Sequence, residues 1–241
     1  MIRIKKIQLG NSLNALTRVK LLIMLDKLKD EEEKEANGST GKYLLPEVLE
    51  MLIINFHKKC YICENIDSTS YEIEHFHSKL IVGMKYNWNN LLLSCAHCNS
   101  TKKRKPIISI INCTDFTDPD PITELKFDYM PIPRKKVEVT TLSSNPKTLE
   151  TVLLLNRVFT GGTSTQKEEA RALADLIRSE IRKLLNALEE YYEAIGTTEE
   201  AHFRSRVLVI MSSNRPFTGI KYSYLKGQDI LSDFEADLDF L

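Results

Sequence analysis

The chain has 241 residues, 42% hydrophobic and 27% charged, with Lys plus Arg and Asp plus Glu both at 33. That length can bury a substantial core, and the composition excludes wholesale disorder and a collagen-like rod. Equal charge counts exclude a long-range pull on a polyanion, so any grip on nucleic acid must come from local patches.

From Ser12 to Leu28, apolar residues at Leu13, Leu16, Val19 and Ile23 recur at helical spacing, and Leu21, Leu22, Leu25 and Leu28 widen that face. Asn11 or Ser12 is placed to cap this helix. Residues Asn37 to Gly41 break the pattern. A second helix is predicted after Pro46, turning Val48, Leu49, Leu52, Ile53 and Phe56 inward and delivering the chain to Cys60. Short β-prone pieces follow, Tyr71 to Glu74 and Leu91 to Leu93, on either side of a loop through Gly83. Asp118-Pro119-Asp120-Pro121 rules out a helix in the stretch 115–133, which reads as an ordered connection. Helices are expected again over Pro146–Phe159, Thr165–Ile195 and Thr198–Met211, with a break at Gly161-Gly162. The stripe Leu173, Leu176, Ile177, Ile181, Leu184, Leu185 and Leu188 reads as core.

Two basic patches are visible, Lys102-Lys103-Arg104-Lys105 and Arg134-Lys135-Lys136, against the acidic run Asp30 to Glu33 and the acidic tail Asp229 to Asp239. No apolar run approaches the roughly 20 residues of a spanning helix, and Met1 to Lys6 lacks the apolar stretch of a signal peptide, so a cytoplasmic location with no membrane association is expected. Gly38 to Lys42 echoes the end of a phosphate-binding loop, but Tyr43 stands where Ser or Thr is needed and no strand precedes it, so no nucleotide binding is expected.

Four of the five cysteines form two C-x-x-C knuckles, Cys60/Cys63 and Cys95/Cys98. Four thiolates so paired satisfy a tetrahedral Zn²⁺, and such a closed site holds structure rather than substrate. Disulfides are the weaker reading in a chain without an export signal. Cys113 reads as a small buried hydrophobe, Trp88 as core, and His57, His97 and His202 as residues without a ligand role. Between the knuckles lie Glu74-His75 and Asn89-Asn90-Leu91, and Cys98-Asn99-x-x-Lys102 leaves the second one.

In that order of acid, histidine, asparagine and second asparagine, residues 60–103 resemble the HNH endonuclease family, whose site is a ββα-metal fold. The resemblance implies that His75 is the general base, that Glu74 and Asn99 are ligands of a catalytic Mg²⁺ or Mn²⁺, and that Asn90 fixes the loop. A hard divalent cation takes oxygen ligands and a neutral imidazole takes the proton of water, as phosphodiester hydrolysis requires. Lys102 and Lys103, with His77, are the candidate phosphate contacts. Glu stands at position 74 where the family more often has Asp.

The predicted architecture is α+β and mainly helical: an N-terminal helical flank over 1–58, a zinc-stapled ββα-metal core over 59–115, and a C-terminal helical region with the acidic tail over 116–241. The phrase Ile73 to Lys79, followed by Trp88 to Leu91 and Cys95-x-x-Cys98-Asn99, is further similar to the HNH nuclease subunit of Septu-type and retron-associated anti-phage systems. That similarity implies a partner ATPase of the ABC/SMC-like type and invading nucleic acid, DNA before RNA, as target. The helical flanks and the tail Phe234 to Leu241 are the expected docking surfaces. The rival reading is a non-catalytic zinc-ribbon module that binds nucleic acid or a protein, which has no need of Glu74 and His75.

Overall fold

The computed structural model describes residues 1–103, 109–129 and 136–240. Arg104 and Lys105 of the first basic patch, Arg134 and Lys135 of the second, and Leu241 of the tail lie outside the described residues. Among the described residues there are eight helices and two small sheets, so the chain is mainly helical as expected. No helix is long and apolar enough to cross a membrane.

Helix α1 spans Ala15–Ala36, starting later and running longer than its apolar pattern suggested. Its cap is Asn14, whose side chain accepts from the Thr17 amide at 2.8 Å, and not Asn11 or Ser12. The inward face also differs: Leu21, Met24 and Leu28 are buried, whereas Leu16, Val19, Leu22 and Ile23 stay exposed. Apolar residues occur on more than one side of α1, and tertiary packing picked one of them. Helix α2, Pro46–Asn55, begins on its proline and buries Val48, Met51 and Leu52.

Strands β1 (Tyr71–His75) and β2 (Leu91–Cys95) pair antiparallel, with Tyr71 opposite Cys95 and His75 opposite Leu91. A two-stranded hairpin is marginal alone. This one is covered by α2 and by α3 (Ala96–Lys103), which leaves β2 directly, and β2 is buried along its whole length. The order β1, β2, α3 gives the ββα unit.

The connection over 115–133 is more structured than expected. Pro121 occupies the first turn of a one-turn helix, α4 (Pro121–Glu124), capped by Asp120, and β3 (Leu125–Tyr129) pairs antiparallel with β4 (Val137–Thr141). Proline is disfavoured inside a helix but tolerated at its start, which is the exception the Asp-Pro-Asp-Pro run uses. Both strands alternate buried and exposed residues, Leu125, Phe127 and Tyr129 facing Val137 and Val139.

Helix α5 spans Pro146–Thr160 and ends at Gly161, whose φ of +70° and tight fit against the backbone of Gln166 leave no room for a Cβ. Helix α6 runs Ser164–Ala194 from a Thr163 cap and buries Leu173, Ile177, Ile181, Leu184 and Leu188, so the stripe is core. Helix α7 is Glu200–Met211, and α8, Thr218–Gly227, packs on β3. One buried cluster joins α1, α2, both knuckles, both sheets, α5 and α6. A second joins α6, α7 and α8 with the tail, whose Phe234 and Leu238 are turned inward and whose Asp237 pairs with Arg204 at 2.6 Å.

Candidate metal centre and active site

The Sγ atoms of Cys60, Cys63, Cys95 and Cys98 all lie within 4.8 Å of one another and all four residues are buried. A tetrahedral zinc with Zn–S near 2.3 Å sets its sulfurs about 3.8 Å apart, and Cys63 and Cys95 stand at 3.9 Å. Local backbone builds the pocket. Cys60 donates its amide to Asn65 O at 3.0 Å, Glu64 donates to Cys60 O at 2.9 Å, and the Cys98 amide reaches Cys95 Sγ at 3.5 Å. Burial pushes the Cys98 thiol up. At Cys60 burial acts the same way, but hydrogen bonds from the other three thiols outweigh it and hold that sulfur low. So crowded a dry thiol cluster needs a cation to ionise throughout, and the four cysteines fit a structural zinc.

His97 sits inside the knuckle without joining it. Its Nδ1 lies 2.7 Å from Glu169 Oε2 and its Nε2 2.9 Å from Val158 O, so both ring nitrogens serve to dock α3 on α5 and α6. Cys113 is buried and free, and Trp88 is buried with its indole donating to Ile7 O at 3.1 Å. Lys6 is buried beside it, its ammonium 3.9 Å from the Trp88 ring and donating to Trp88 O and Leu91 O. Burial drives the Lys6 pKa well down. The Asn89-Asn90-Leu91 step is thereby pinned from the N-terminal segment.

Alternation along β1 puts Glu72 and Glu74 on one side, and one turn of α3 puts Asn99 and Lys102 opposite them. Asn99 Nδ2 donates to Glu72 Oε2. Lys102 Nζ stands 2.7 Å from Glu74 Oε1 and donates further to Tyr61 Oη at 3.2 Å, His75 O at 3.3 Å and Phe76 O at 3.4 Å. Burial raises the Glu74 carboxyl above its ordinary range even against the pull of Lys102. Glu74 is 6% and Asn99 3% exposed, yet Glu74 Oε2 and Asn99 Oδ1 have no hydrogen-bond partner among the described residues. Two orphaned acceptor oxygens, one formally anionic, are costly in a dry site unless a cation or water meets them.

His75 ends β1 and, by the same alternation, is directed away from the α3 side. Its ring packs edge-on to Tyr43 at 4.4 Å, and its Nε2 lies 2.9 Å from Lys85 O. A carbonyl only accepts, so Nε2 carries the proton and Nδ1 keeps a lone pair. Burial, helped by the charges of Lys79, Lys102 and Lys85, lowers the imidazole pKa.

Asn90 acts as a clamp on the loop between the strands. Its Oδ1 accepts from the His77 amide at 2.7 Å, and its Nδ2 donates to His77 O at 3.0 Å and Met84 O at 2.9 Å. His77 is exposed, and with Lys102 it lines a cleft of about 70 Å³ that also contains Asp115, Asp118 and Lys147, Lys147 being paired with Asp118. Lys102 therefore faces inward onto Glu74, and Lys103 is the exposed lysine at the end of α3. Glu72, Tyr61 and the Lys85 carbonyl are the participants that sequence motifs did not single out. Only Glu72 carried a signal, its two-residue spacing from Glu74 on a strand.

Residues 60–105 match the family model described as HNH endonuclease. The match covers both knuckles, β1, β2 and α3, and it supports a metal-dependent nuclease family for this segment. The chain matches no curated protein and no solved structure.

Proposed function

We propose that the chain hydrolyses nucleic-acid phosphodiester bonds, DNA before RNA, in a site at the end of β1. The observation that carries this reading is the pair of buried, unpartnered oxygens on Glu74 and Asn99, with Glu74 followed in the chain by a histidine whose Nδ1 keeps its lone pair.

Glu74 Oε2 and Asn99 Oδ1 would hold Mg²⁺ or Mn²⁺, which supplies charge neutralisation to the phosphate as it becomes five-coordinate. His75 Nδ1 takes the proton of the attacking water, and Lys85 O keeps the ring in the tautomer that can do so. Glu72 turns the Asn99 amide so that its oxygen, not its nitrogen, faces the cation. Lys102 orients Glu74 and ties the acid to the backbone of His75. His77 and Lys103, both exposed, remain the candidate phosphate contacts.

We further propose that the chain is the effector subunit of a Septu-like anti-phage complex with an ABC/SMC-like ATPase. Three features support a partner: a balanced charge that gives weak autonomous grip, the sequence phrase around Glu74-His75, and the exposed apolar residues Leu16, Val19 and Ile23 at helical spacing on α1. Phe234 and Leu238 are occupied inside the chain, so the flank α1 is the better docking surface than the tail.

The test is incubation of the full chain with supercoiled plasmid, linear DNA and tRNA, with Mg²⁺ present or withheld, and with or without an ATPase encoded beside it. Cation-dependent strand breaks are expected. Retention of the nucleic acid without any break under every condition would favour the zinc-ribbon binding module instead.

A further inference from the structure

The loop that Asn90 clamps ends in three consecutive exposed apolar residues, Leu80 at 88%, Ile81 at 50% and Val82 at 97% exposure. Such a run on a soluble surface costs solubility and calls for a functional explanation. The loop is built to hold it out. Ile81 donates to Ser78 O at 3.1 Å and Met84 to Ile81 O at 3.0 Å, two turns in succession, and Gly83 takes a φ of +76°. Asn90 fixes both stems, at His77 and at Met84, so the tip projects from a closed frame rather than a floppy excursion.

Its position and charge indicate the partner. Lys85, at the base of the loop, is the residue whose carbonyl holds His75. Val82 is three residues from Lys85, a span of at most about 11 Å of chain. The tip is therefore tethered close to the residue that holds the His75 imidazole. From Phe76 to Asn90 the chain has Lys79, Lys85 and His77 but no Asp or Glu, in a protein whose acids and bases otherwise balance; Lys85 is paired with Glu35 at 2.6 Å, which leaves Lys79 and His77 for a polyanion. An apolar point on a loop that carries Lys79 and His77 and no acid of its own is suited to a polyanion with apolar interior surfaces, that is, a stacked duplex.

We propose that Leu80, Ile81 and Val82 form a wedge that enters duplex DNA and unstacks a base step close to the cut, so that the enzyme selects sites that are easily deformed. This rests on the nuclease reading of the preceding section. Base pairs rise 3.4 Å, and the 11 Å of chain from Lys85, with the imidazole, its water and a side-chain length added, keeps the opened step within about eight base pairs of the scissile phosphate. Pyrimidine–purine steps such as TA should be enriched there.

The experiment compares the parent with the double variant Leu80→Ser, Val82→Ser, both positions being exposed and free of packing. The substrates are a duplex containing a cut site mapped on plasmid and the same duplex carrying a two-base mismatch, stepped through the eight pairs on either side of the cut. The wedge predicts at least a tenfold slower cut of the paired duplex by the variant, and rates within twofold of the parent on the mismatched one. Binding is read separately, from 2-aminopurine placed at the same step: its fluorescence rises with the parent and not with the variant. Equal cutting of the paired duplex by both proteins, or an equal loss on both substrates, overturns the proposal. A loss seen only with the ATPase present would make the tip a protein-docking site and overturn it as well. If the parent cuts no plasmid, the nuclease reading fails, and 2-aminopurine stepped along a bound duplex still decides the wedge.

Discussion

Cys95→Ser is expected to take the bound zinc from one per chain to none and to lower the melting temperature by roughly 10–20 °C. Structural zinc contributes an apparent 10–16 kcal/mol or so in isolated finger peptides, a sum comparable to the whole stability of an average domain. Here the core shares the load, because β1, β2 and α3 also pack on α2 and α5. A net loss of about 5 kcal/mol is therefore a moderate expectation, and for a chain of this size each kcal/mol shifts the melting temperature by about 2–4 °C. The cost remains high because Cys60, Cys63, Cys95 and Cys98 are all buried, and without an ion they leave crowded thiols in place of bonds. Metal content by mass spectrometry and melting followed by circular dichroism check it. A parent that purifies without zinc, or a variant that melts with it, would contradict the assignment.

His75→Ala is expected to slow strand cleavage by about 10²–10⁴-fold, the usual contribution of a positioned general base, while zinc content and melting stay near those of the parent. The ring is half-buried and touches Tyr43 and Lys85 O, so its removal leaves no large cavity. The pH profile carries the same information. Burial and the neighbouring lysines hold the imidazole pKa below its ordinary value of 6.5, so the neutral, proton-accepting form persists to lower pH. Cleavage should rise with pH and level off below the pH at which an exposed histidine would do so. Single-turnover rates between pH 5 and 8 measure this, and an unchanged rate in the variant would remove His75 from the chemistry.

Much of this protein is written in local signals. The two C-x-x-C pairs and the capped, proline-started helices depend on neighbours in sequence, so Pro46, Pro146 and Gly161 mark element ends that the structure keeps. What was not legible depends on partners far along the chain. The side of α1 that turns inward was decided by packing against α2 and not by its own periodicity. Pro121 was read as a breaker because its role as a first-turn residue needs Asp120 as cap. The hairpin of β3 and β4 was hidden by short strands whose buried faces become visible only once α5 and α8 cover them.

The same division runs through the site. Glu74, His75, Asn90 and Asn99 stand in one compact motif and were singled out by the family resemblance that motif carries. The groups that orient them could not: Glu72 holds Asn99, Tyr61 and Glu74 hold Lys102, and Lys6 pins the Trp88 turn from more than eighty residues away. Lys102 shows the difference most plainly. Its spacing from Asn99 suggested a phosphate contact, whereas its ammonium is engaged by a carboxylate, a phenol and two carbonyls.

Manganese titrated into the zinc-loaded chain and followed by electron paramagnetic resonance addresses the central claim without relying on activity. One Mn²⁺ is predicted to bind per parent chain and to be lost in Glu74→Gln and in Asn99→Ala, with zinc retained in both. Equal manganese binding by parent and variants, or none by the parent, would contradict the assignment of these two oxygens to a catalytic cation.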